Sequence, residues 1–565
     1  MTMKRLLMAV VGAALGMGLH AEDFDLVVYG SSPAAISAAI QAKRMGISCV
    51  VVSPETRIGG LTTGGLGQTD IGNKRAFGGI ALDFYRAVAA YYKNPAHWTR
   101  QTPKSYSPDG QCFGTKDDNS MWTFEPHAAL EILEGWEKRD GLKIIRGERL
   151  DRGPGGVTKK DGRITSFRTL AGRVFAGKMF VDATYEGDLM AAAGCSYAVG
   201  REANSVYGET INGYAPDAYG AEWHRFAYGI DPYVKKGDPS SGLLPNVEPF
   251  DANAKPGDGD KRVQAYCFRM CLTDDPENRI PFAKPANYDE RMYELAFRNY
   301  ERIGRRLKEM PWINSNMPNR KTDTNNRSAF STDFIGGSWR WPEASYEERE
   351  QILKAHLDYQ KGLMWTLANH PRIPEKIRNE ISKWGTCKDE FTDGLGDGWQ
   401  RQLYVREARR LVGDYVMTEH NCRGSAVAPR PVALGAYGMD SHHVQRMVGK
   451  DGFVHNEGNV EDYSKYSKSS GKDFERLSPY GVDYGAIIPK RAECGNLFVP
   501  VCLSASHIAF GSIRMEPVFF VLGQVSGTAA AIAIRENCVV QDVPYDGLRT
   551  RLLADGQVQI GRAHV

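Results

Sequence analysis

The sequence predicts an α/β fold that begins with a nucleotide-binding βαβ unit, and three observations lead to this prediction. The apolar run Leu26–Tyr29 ends directly at Gly30, as a buried parallel strand ends before a tight turn. Pro33 then stands at the first position of an alanine-rich helical stretch that Gly46 can end. A second β-branched run, Cys49–Val52, follows this helix, so the order is strand, turn, helix, strand.

The turn after the first strand matches a dinucleotide-binding turn in degenerate form. Gly30, Ser32 and Ala35 occupy the three positions of GxGxxG, so the turn glycine is retained and the other two are small. At such a turn the helix N-terminus directs free backbone N–H groups at a pyrophosphate. An ordinary βαβ turn is the alternative. The expected cofactor contacts here are Gly30, Ser32, Pro33, Ala34 and Ser53, the last standing where an acidic residue usually receives the ribose.

A dense glycine segment follows the second strand. Arg57, Gly59 and Gly60 form an RxGG element, and five glycines fall within Gly59–Gly67. This density leaves backbone free to approach a ligand, and the element is typical of FAD-binding proteins of the glutathione-reductase type. A flexible surface loop is the alternative. The expected cofactor contacts are Gly59, Gly60, Leu61, Gly65 and Gly67.

Two later segments again have the composition expected of a cofactor-binding part of the chain. Lys178–Val181 is a predicted strand that ends at Asp182, which is either a helix-capping carboxylate or a cofactor ligand. Leu497–Val501 is another predicted strand. It leads into a long helix of small residues that includes Gly523 and Gln524. The N-terminus of that helix can place its positive end near a flavin ring.

The N-terminus predicts export. Lys4 and Arg5 precede the apolar run Leu6–Leu19, which reads as a signal peptide over residues 1–21. A retained membrane anchor is the alternative, although the run is short for one. We therefore expect a periplasmic or secreted protein with no membrane span in its mature part.

Composition excludes several classes of function. The 71 basic and 68 acidic residues give a formal charge of +3. A net charge this small provides no electrostatic attraction for nucleic acid. The ten cysteines include no CxxC, which argues against a dithiol site, a zinc ribbon and an iron–sulfur cluster. No metal site is predicted. Cys267–Cys271 and Cys494–Cys502 are the local disulfide candidates.

The middle of the chain differs in composition from the two ends. Seven of the ten tryptophans lie between Trp223 and Trp399, together with amphipathic helices such as Tyr346–Ala368. The rings either stack on sugar faces or belong to a core. This segment is the predicted substrate domain.

The segments VVYGSSPAAISAAIQAKRMG, VVSPETRIGGLTTGGLGQTD, FVDATYEGDLMAAAG and VPVCLSASHIAFGSIRMEPVFFVLGQ together resemble the FAD-dependent oxidoreductase family. The similarity is closest to a secreted bacterial branch with a xanthan-lyase-like label, and more distant to the flavoprotein subunit of heterodisulfide reductase. The resemblance implies noncovalent FAD, with Gln524 near the ring. It also implies a discontinuous Rossmann-like FAD domain of the glutathione-reductase type at residues 22–201 and 401–565, interrupted by a mixed α+β substrate domain at 202–400.

Oxidation of a hydroxyl by flavin needs a base, and histidine suits this role near neutral pH. The candidates are His507, which leads into the long helix, then His443, His442 and His420; each is otherwise a structural histidine. Arg406, Arg409 and Arg410 are predicted to share a helix, where they bind an anionic substrate group or pair internally. Arg514 and Glu516 either form an ion pair or touch flavin and substrate.

The leading hypothesis is an exported FAD enzyme that oxidises a hydroxyl of a sugar or glycan and passes electrons to an acceptor that the sequence does not reveal. A flavin-dependent lyase or glycosidase, which oxidises only transiently, is the first alternative. A non-catalytic secreted binding protein on the same fold is the second.

Overall fold

The computed structural model describes residues 21–108, 119–216, 222–304, 312–462 and 478–558. The predicted signal peptide, up to residue 20, and Cys112 lie outside these ranges.

The described ranges form twenty strands and thirteen helices. The strands are β1 (Glu22–Tyr29), β2 (Cys49–Val52), β3 (Lys143–Ile145), β4 (Val157–Lys160), β5 (Arg163–Arg168), β6 (Val174–Asp182), β7 (Tyr197–Ala198), β8 (Cys271–Thr273), β9 (Arg279–Pro281), β10 (Trp312–Met317), β11 (Lys321–Asn326), β12 (Gly385–Cys387), β13 (Arg410–Leu411), β14 (Pro431–Gly435), β15 (Met439–Ser441), β16 (Gln445–Val448), β17 (Val454–Glu457), β18 (Val460–Asp462), β19 (Tyr480–Asp483) and β20 (Leu497–Phe498). The helices are α1 (Pro33–Arg44), α2 (Gly60–Thr63), α3 (Gly79–Tyr91), α4 (Pro126–Asp140), α5 (Asp188–Ala192), α6 (Asn204–Tyr207), α7 (Glu294–Ile303), α8 (Tyr346–Asn369), α9 (Glu375–Ile381), α10 (Glu419–Arg423), α11 (His507–Ile513), α12 (Glu516–Arg535) and α13 (Tyr545–Ala554).

A seven-stranded sheet carries the predicted nucleotide-binding unit. Its order is β3-β2-β1-β6-β5-β4, with β20 also paired to β6. Strands β3, β2, β1, β6 and β20 run parallel, and Leu26 of β1 pairs with Cys49 on one side and Met179 on the other. The predicted strand Leu26–Tyr29 is the fully buried half of β1. The predicted parallel α/β fold is therefore confirmed, and the first and last parts of the chain share one sheet.

Helices α1 and α12 pack against each other beside this sheet, and two glycines of α12 allow their close approach. A Cβ at Gly523 would collide with the carbonyl oxygen of Ala34, and one at Gly527 would press on the carbonyl of Ala38. Gly523 therefore serves the close packing of these two helices, and its role as a cofactor contact stays a prediction.

Among the described helices, α12 is long and apolar enough to cross a membrane. Most of it is buried inside the protein against α1, α3 and β14.

Strand β7 pairs antiparallel with β13, so the two ends of the predicted substrate domain lie close together. Within it, β10-β11-β8-β12-β9 form an antiparallel sheet. Trp312, Trp341 and Trp399 are buried, which favours the core interpretation for these tryptophans. The domain boundaries themselves stay a prediction.

Two local predictions are wrong. Residues 406–410 form no helix, since only the short strand β13 occurs there. The local cysteine pairs do not bond: all four cysteines are free, and Cys271 instead faces Cys387, with 3.9 Å between the sulfur atoms. Adjacent strands β8 and β12 bring these two together, because antiparallel pairing sets distant residues opposite each other.

Candidate functional site

The turn after β1 presents unused backbone donors. Gly30 has a φ of 138°, and a Cβ there would collide with the carbonyl of Ala183. The hydroxyl of Ser32 donates to that same carbonyl oxygen (2.7 Å), which ties the turn to the end of β6. Within the described residues, the N–H groups of Ser31, Ser32 and Ala34 find no acceptor. They lie at the start of α1, where the helix dipole favours an anion.

A cleft opens beside this turn, at the carboxyl ends of the parallel strands. Its lining includes Ser31, Pro54, Glu55, Thr184 and Arg349. Ligands of open parallel sheets bind at this edge.

The cleft contains a carboxylate that could receive ribose hydroxyls, that of Glu55. The hydroxyl of Ser53 donates to the carbonyl oxygen of Glu55, so it is used within the turn. The Glu55 side chain, two residues further on, lines the cleft and is 34% exposed. Burial raises the pKa of Glu55, and the Arg401 guanidinium opposes the shift. Sequence reasoning missed Glu55 because it looked for an acid only at the end of β2.

The glycine segment Gly59–Gly67 is buried and closely packed, so the flexible-loop alternative is wrong. A Cβ at Gly60 would collide with the Tyr185 hydroxyl, one at Gly65 with the Arg269 carbonyl, and one at Gly67 with the Met317 sulfur. The N–H of Leu61 donates to the Tyr185 hydroxyl (3.0 Å). Both sides of the segment thus contact protein, and Gly65 and Gly67 touch the predicted substrate domain.

Asp182 turns inward rather than toward the cleft. Its Oδ1 accepts from the N–H and hydroxyl of Thr184, and its Oδ2 accepts from the N–H of Met190. The side chain is fully buried, and burial raises its pKa to about 6. The geometry is that of the capping carboxylate, one of the two roles that the sequence predicted, since both oxygens accept hydrogen bonds from the protein.

Gln524 connects α12 to α3. Its Oε1 accepts from the N–H of Ile80 (3.0 Å), near the start of α3. Its Nε2 is buried without a hydrogen-bond partner in the described chain.

His507 is fully engaged within the protein. Its Nδ1 contacts the Glu407 carboxylate (2.8 Å), and its Nε2 contacts the Ser441 hydroxyl (2.9 Å). We call Glu407, Ser441 and His507 the closed triad. Since both ring nitrogens are engaged and the ring is buried, the structure presents no free nitrogen of His507 to a substrate.

The other candidate histidines differ in their surroundings. His442 contacts Asp333 through Nδ1 (2.7 Å), and burial lowers its pKa to about 3, so the ring is neutral. Burial also lowers the pKa of His443, whose ring meets His224 edge-on. His420 is half-buried, and its Nε2 lies 3.1 Å from the carbonyl oxygen of Gly208.

Three arginines surround the ring of Tyr404. The guanidinium carbons of Arg406, Arg514 and Arg269 lie 4.4, 5.7 and 5.8 Å from its centroid. Arg514 donates to the Tyr404 hydroxyl (2.9 Å). We call this group, together with two neighbouring carboxylates, the Tyr404 cluster; its members are Asp70, Arg269, Tyr404, Arg406, Asp440 and Arg514.

Asp440 supplies an unused carboxyl group to this cluster. The group makes no hydrogen bond within the described chain; the Nε2 of His442 lies 3.9 Å away. Its side chain is 18% exposed, so it is not sealed from solvent. Burial raises the pKa of Asp440 to about 7, and the Arg514 guanidinium opposes the shift. A carboxyl group with this pKa is half deprotonated at neutral pH and can accept a proton there.

The arginines predicted from YVREARR separate into different roles. Arg409 pairs with Asp188 (2.8 Å) and Arg410 with Glu202 (2.7 Å), so both are used internally. Only Arg406 joins the Tyr404 cluster. The prediction of a helix was wrong because each of these three arginines pairs with a different acidic residue.

Arg514 and Glu516 do not form the ion pair that was one of the two expectations. Glu516 accepts from the hydroxyls of Thr62 and Tyr185 (2.7 and 2.9 Å). Arg514 instead donates to Tyr404 and to the backbone carbonyl of Asp440.

The cluster lies where the glycine segment and α12 meet. Gly65 packs on the carbonyl of Arg269, Asp70 lies three residues after Gly67, and Arg514 lies between α11 and α12. This is the region in which the sequence predicted the flavin ring. Sequence reasoning missed Asp70, Arg269, Tyr404 and Asp440. Asp70 and Tyr404 stand inside segments noted for their glycines and arginines, but nothing in those local patterns indicates that the four side chains meet.

One potential set of metal ligands lies elsewhere in the described residues, at Glu125, His127 and Glu390. The ammonium group of Lys321 lies among them, 2.9 Å from Glu125 and 2.8 Å from Glu390. A cation of the protein itself therefore balances these carboxylates.

Comparison with known proteins identifies the family. The sequence profile described as "FAD dependent oxidoreductase" matches residues 25–552. Among curated proteins, none matches this chain significantly. Similar solved structures include a flavin-containing monooxygenase from Stenotrophomonas maltophilia, with 18% identity over 33% of this chain and 43% of that one (TM-score 0.19). A bacillithiol disulfide reductase from Staphylococcus aureus has 16% identity over 29% and 38% (TM-score 0.17). The chain thus spans less than half the length of these two structures.

The residues present fit the cofactor that this family uses. The free N–H groups at the start of α1 suit a pyrophosphate, and Glu55 in the cleft suits ribose hydroxyls. Because the family profile covers nearly the whole described chain and the parallel sheet has the expected topology, the protein belongs to the FAD-dependent oxidoreductase family, with FAD as its cofactor.

Proposed function

We propose that this protein is an exported enzyme that oxidises a hydroxyl group of a sugar or glycan, with Asp440 as the base. The observation that carries the proposal is the free carboxyl of Asp440, which is accessible and has a pKa of about 7 beside Tyr404 and Arg514. Among the residues of the Tyr404 cluster, it combines accessibility with a pKa suited to a base at neutral pH.

The chemistry divides between the cofactor and the chain. FAD, when bound, accepts the hydride that leaves the substrate carbon. Asp440 takes the hydroxyl proton and becomes a neutral acid, while the carbon–oxygen single bond becomes a carbonyl. Arg514 holds the backbone of Asp440 through its carbonyl oxygen (3.1 Å), which fixes the position of the base.

A polyhydroxylated substrate suits the remaining polar atoms near the cluster. Gln400 has an Oε1 atom and Gln264 an Nε2 atom that are buried without hydrogen-bond partners in the described chain. The amide of Gln400 bonds the Arg269 carbonyl, and that of Gln264 bonds the N–H of His442, so both lie beside the cluster. Buried polar atoms of this kind are normally satisfied, and sugar hydroxyls both donate and accept. The signal-like run Leu6–Leu19 supports export.

A redox-neutral lyase is the second candidate. Elimination after transient oxidation needs a further base, and Asp70 is a second carboxylate in the cluster. Its carboxylate lies 3.9 Å from Nη1 of Arg269.

The test is anaerobic mixing of the FAD-loaded protein with a panel of sugars and glycans, followed by flavin absorbance. Net oxidation predicts that one class of substrate bleaches the flavin and leaves it reduced until an acceptor is added. A lyase predicts transient bleaching and an unsaturated product. A panel that includes neutral and acidic sugars and gives neither bleaching nor product would refute the proposed function.

A further inference from the structure

Arg514 is a buried cation without an acidic partner. Its side chain is about 5% exposed, and no carboxylate of the described chain lies within 4.0 Å of its nitrogens. Nη1 donates to the Tyr404 hydroxyl and Nη2 to the Asp440 carbonyl oxygen, while Nε has no acceptor. Burying an unpaired charge is costly, so buried charges are normally balanced by an opposite charge. The site is therefore one negative charge short at this position.

Two further N–H groups beside the same ring also lack acceptors. Arg269 binds Asp323 through Nε and Nη2, which leaves Nη1 without a hydrogen bond. Arg406 contacts Asp333 (3.0 Å) and the Ala265 carbonyl through its terminal nitrogens, which leaves Nε without one. Three guanidinium groups around one tyrosine therefore each hold an unused, buried donor.

The acids that face these arginines do not account for the donors. Asp323 and Asp333 already receive other nitrogens of Arg269 and Arg406, and the Nδ1 of His442 also contacts Asp333. Asp70 lies 3.9 Å from Arg269 Nη1, which is too far for a hydrogen bond. The carboxyl of Asp440 contacts none of the three guanidinium groups within ion-pair distance.

We propose that the Tyr404 cluster binds a carboxylate of the substrate, so that the oxidised sugar is an acidic one such as a uronic acid. This inference rests on the proposed function, since it names the substrate class of the same site. A carboxylate has two oxygens in one plane, which match the planar donors of guanidinium groups. Arg514 is the principal partner because it alone of the three has no carboxylate of its own.

This placement also explains how the hydroxyl would meet its base. Arg514 contacts both the Tyr404 hydroxyl and the backbone of Asp440, so an anion bound at Arg514 lies next to Asp440. A carboxylate held there orients the rest of the sugar ring, and a hydroxyl of that ring can be directed at the Asp440 carboxyl. Such positioning lowers the barrier without any further contact to the reacting carbon.

The test compares D-glucuronate with D-glucose, which differ in charge at one carbon. Each sugar is titrated into the oxidised, FAD-loaded protein, and binding is followed by the flavin difference spectrum and by the melting temperature. We expect glucuronate to bind about ten- to a hundredfold more tightly than glucose, as charge-assisted hydrogen bonds allow.

The variants locate this preference. Arg514→Gln should bring the affinity for glucuronate to within about threefold of the affinity for glucose. Arg514→Lys keeps the charge but loses the planar guanidinium group, so it should retain part of the preference for glucuronate. Arg491→Gln is the matched control, because Arg491 is exposed and pairs with Asp542 at the surface. The control should bind both sugars as the unaltered protein does. FAD content and far-ultraviolet circular dichroism check that each variant is folded.

Several results would overturn the inference. The unaltered protein could bind both sugars equally, which decides the question even if Arg514→Gln does not fold. Arg514→Gln could keep the full preference for glucuronate. It could also change the reduction potential of the flavin while leaving the preference intact, which would assign Arg514 to the cofactor. Bleaching by neutral sugars alone would refute this inference and support the proposed function. Tight glucuronate binding without bleaching by any sugar would support carboxylate binding by the Tyr404 cluster and refute the proposed oxidation.

Discussion

The closed triad and the Tyr404 cluster are two sets of polar side chains, and consecutive residues of β15 contribute one member to each. Ser441 faces the closed triad and Asp440 faces the Tyr404 cluster, because successive side chains of a strand point to opposite sides. Ser441 is fully buried, and its hydroxyl lies 2.9 Å from His507 and 3.2 Å from the Gly458 carbonyl oxygen. The Asp440 side chain is partly accessible, and its carboxyl group has no hydrogen-bond partner in the described chain.

The difference between them indicates their roles. The closed triad has the residue types of a hydrolytic site, yet its hydroxyl, imidazole and carboxylate all bond one another and the surrounding backbone. Satisfied buried networks of this kind hold a fold in one arrangement. The Tyr404 cluster holds unused donors and an accessible carboxyl, which is the condition of a site that receives a ligand. Three predictions test this comparison.

The largest expected effect is that of Asp440→Asn. Asparagine keeps the shape of the side chain but cannot accept the substrate proton, so flavin reduction by a bleaching sugar should slow by about a hundred- to ten-thousandfold. Stopped-flow absorbance under anaerobic conditions measures this rate, and FAD content should not change. Asp542→Asn, at an exposed ion pair, is the control. A rate within threefold of the unaltered protein would remove Asp440 from the role of base.

The pH dependence is the next largest effect. The base form of Asp440 is the deprotonated carboxylate, and its pKa is about 7. Below that pH the deprotonated fraction falls about tenfold for each unit. The rate of flavin reduction should therefore rise with pH up to about 7 and level off above it. A rate that is constant between pH 5 and 8 would contradict this assignment.

The smallest effect on rate is expected for His507→Gln. The change breaks contacts inside the closed triad, so it should lower the free energy of unfolding by about 1 to 3 kcal/mol. Flavin reduction should slow by less than about tenfold, since His507 offers no free nitrogen to the substrate. Urea unfolding and stopped-flow absorbance measure the two effects, with the half-exposed His455→Gln as control. A rate loss as large as that of Asp440→Asn, without loss of stability, would show that the triad acts on the substrate.

Local patterns of sequence predicted much of the fold. Cys49–Val52 is β2 residue for residue, and the predicted helix from Tyr346 is α8. These succeeded because strand alternation, helix periodicity and turn residues act over a few neighbouring positions. The prediction for Arg406–Arg410 failed because tertiary ion pairs with distant acids override helix propensity.

The sequence could indicate a part of the candidate site only where that part is built from one continuous segment. The turn at Gly30 and Ser32 carries its own signal, because a tight turn and a helix start must be adjacent in sequence. His507 looked like a base because it precedes a flavin-facing helix, but the residues that engage it, Glu407 and Ser441, are 100 and 66 positions away. Gly523 looked like a cofactor contact, but the group it approaches belongs to α1.

The sequence by itself determined the parallel sheet, the dinucleotide turn and the glycine segment that leads from it. Only the tertiary structure decided which polar side chains are satisfied and which are left over. Asp70, Arg269, Tyr404, Asp440 and Arg514 come from five separate parts of the chain, and no local pattern joins them. The physical reason is that a hydrogen bond or ion pair exists only between groups that folding has brought together, so an unused donor can be recognised only after every other partner has been placed.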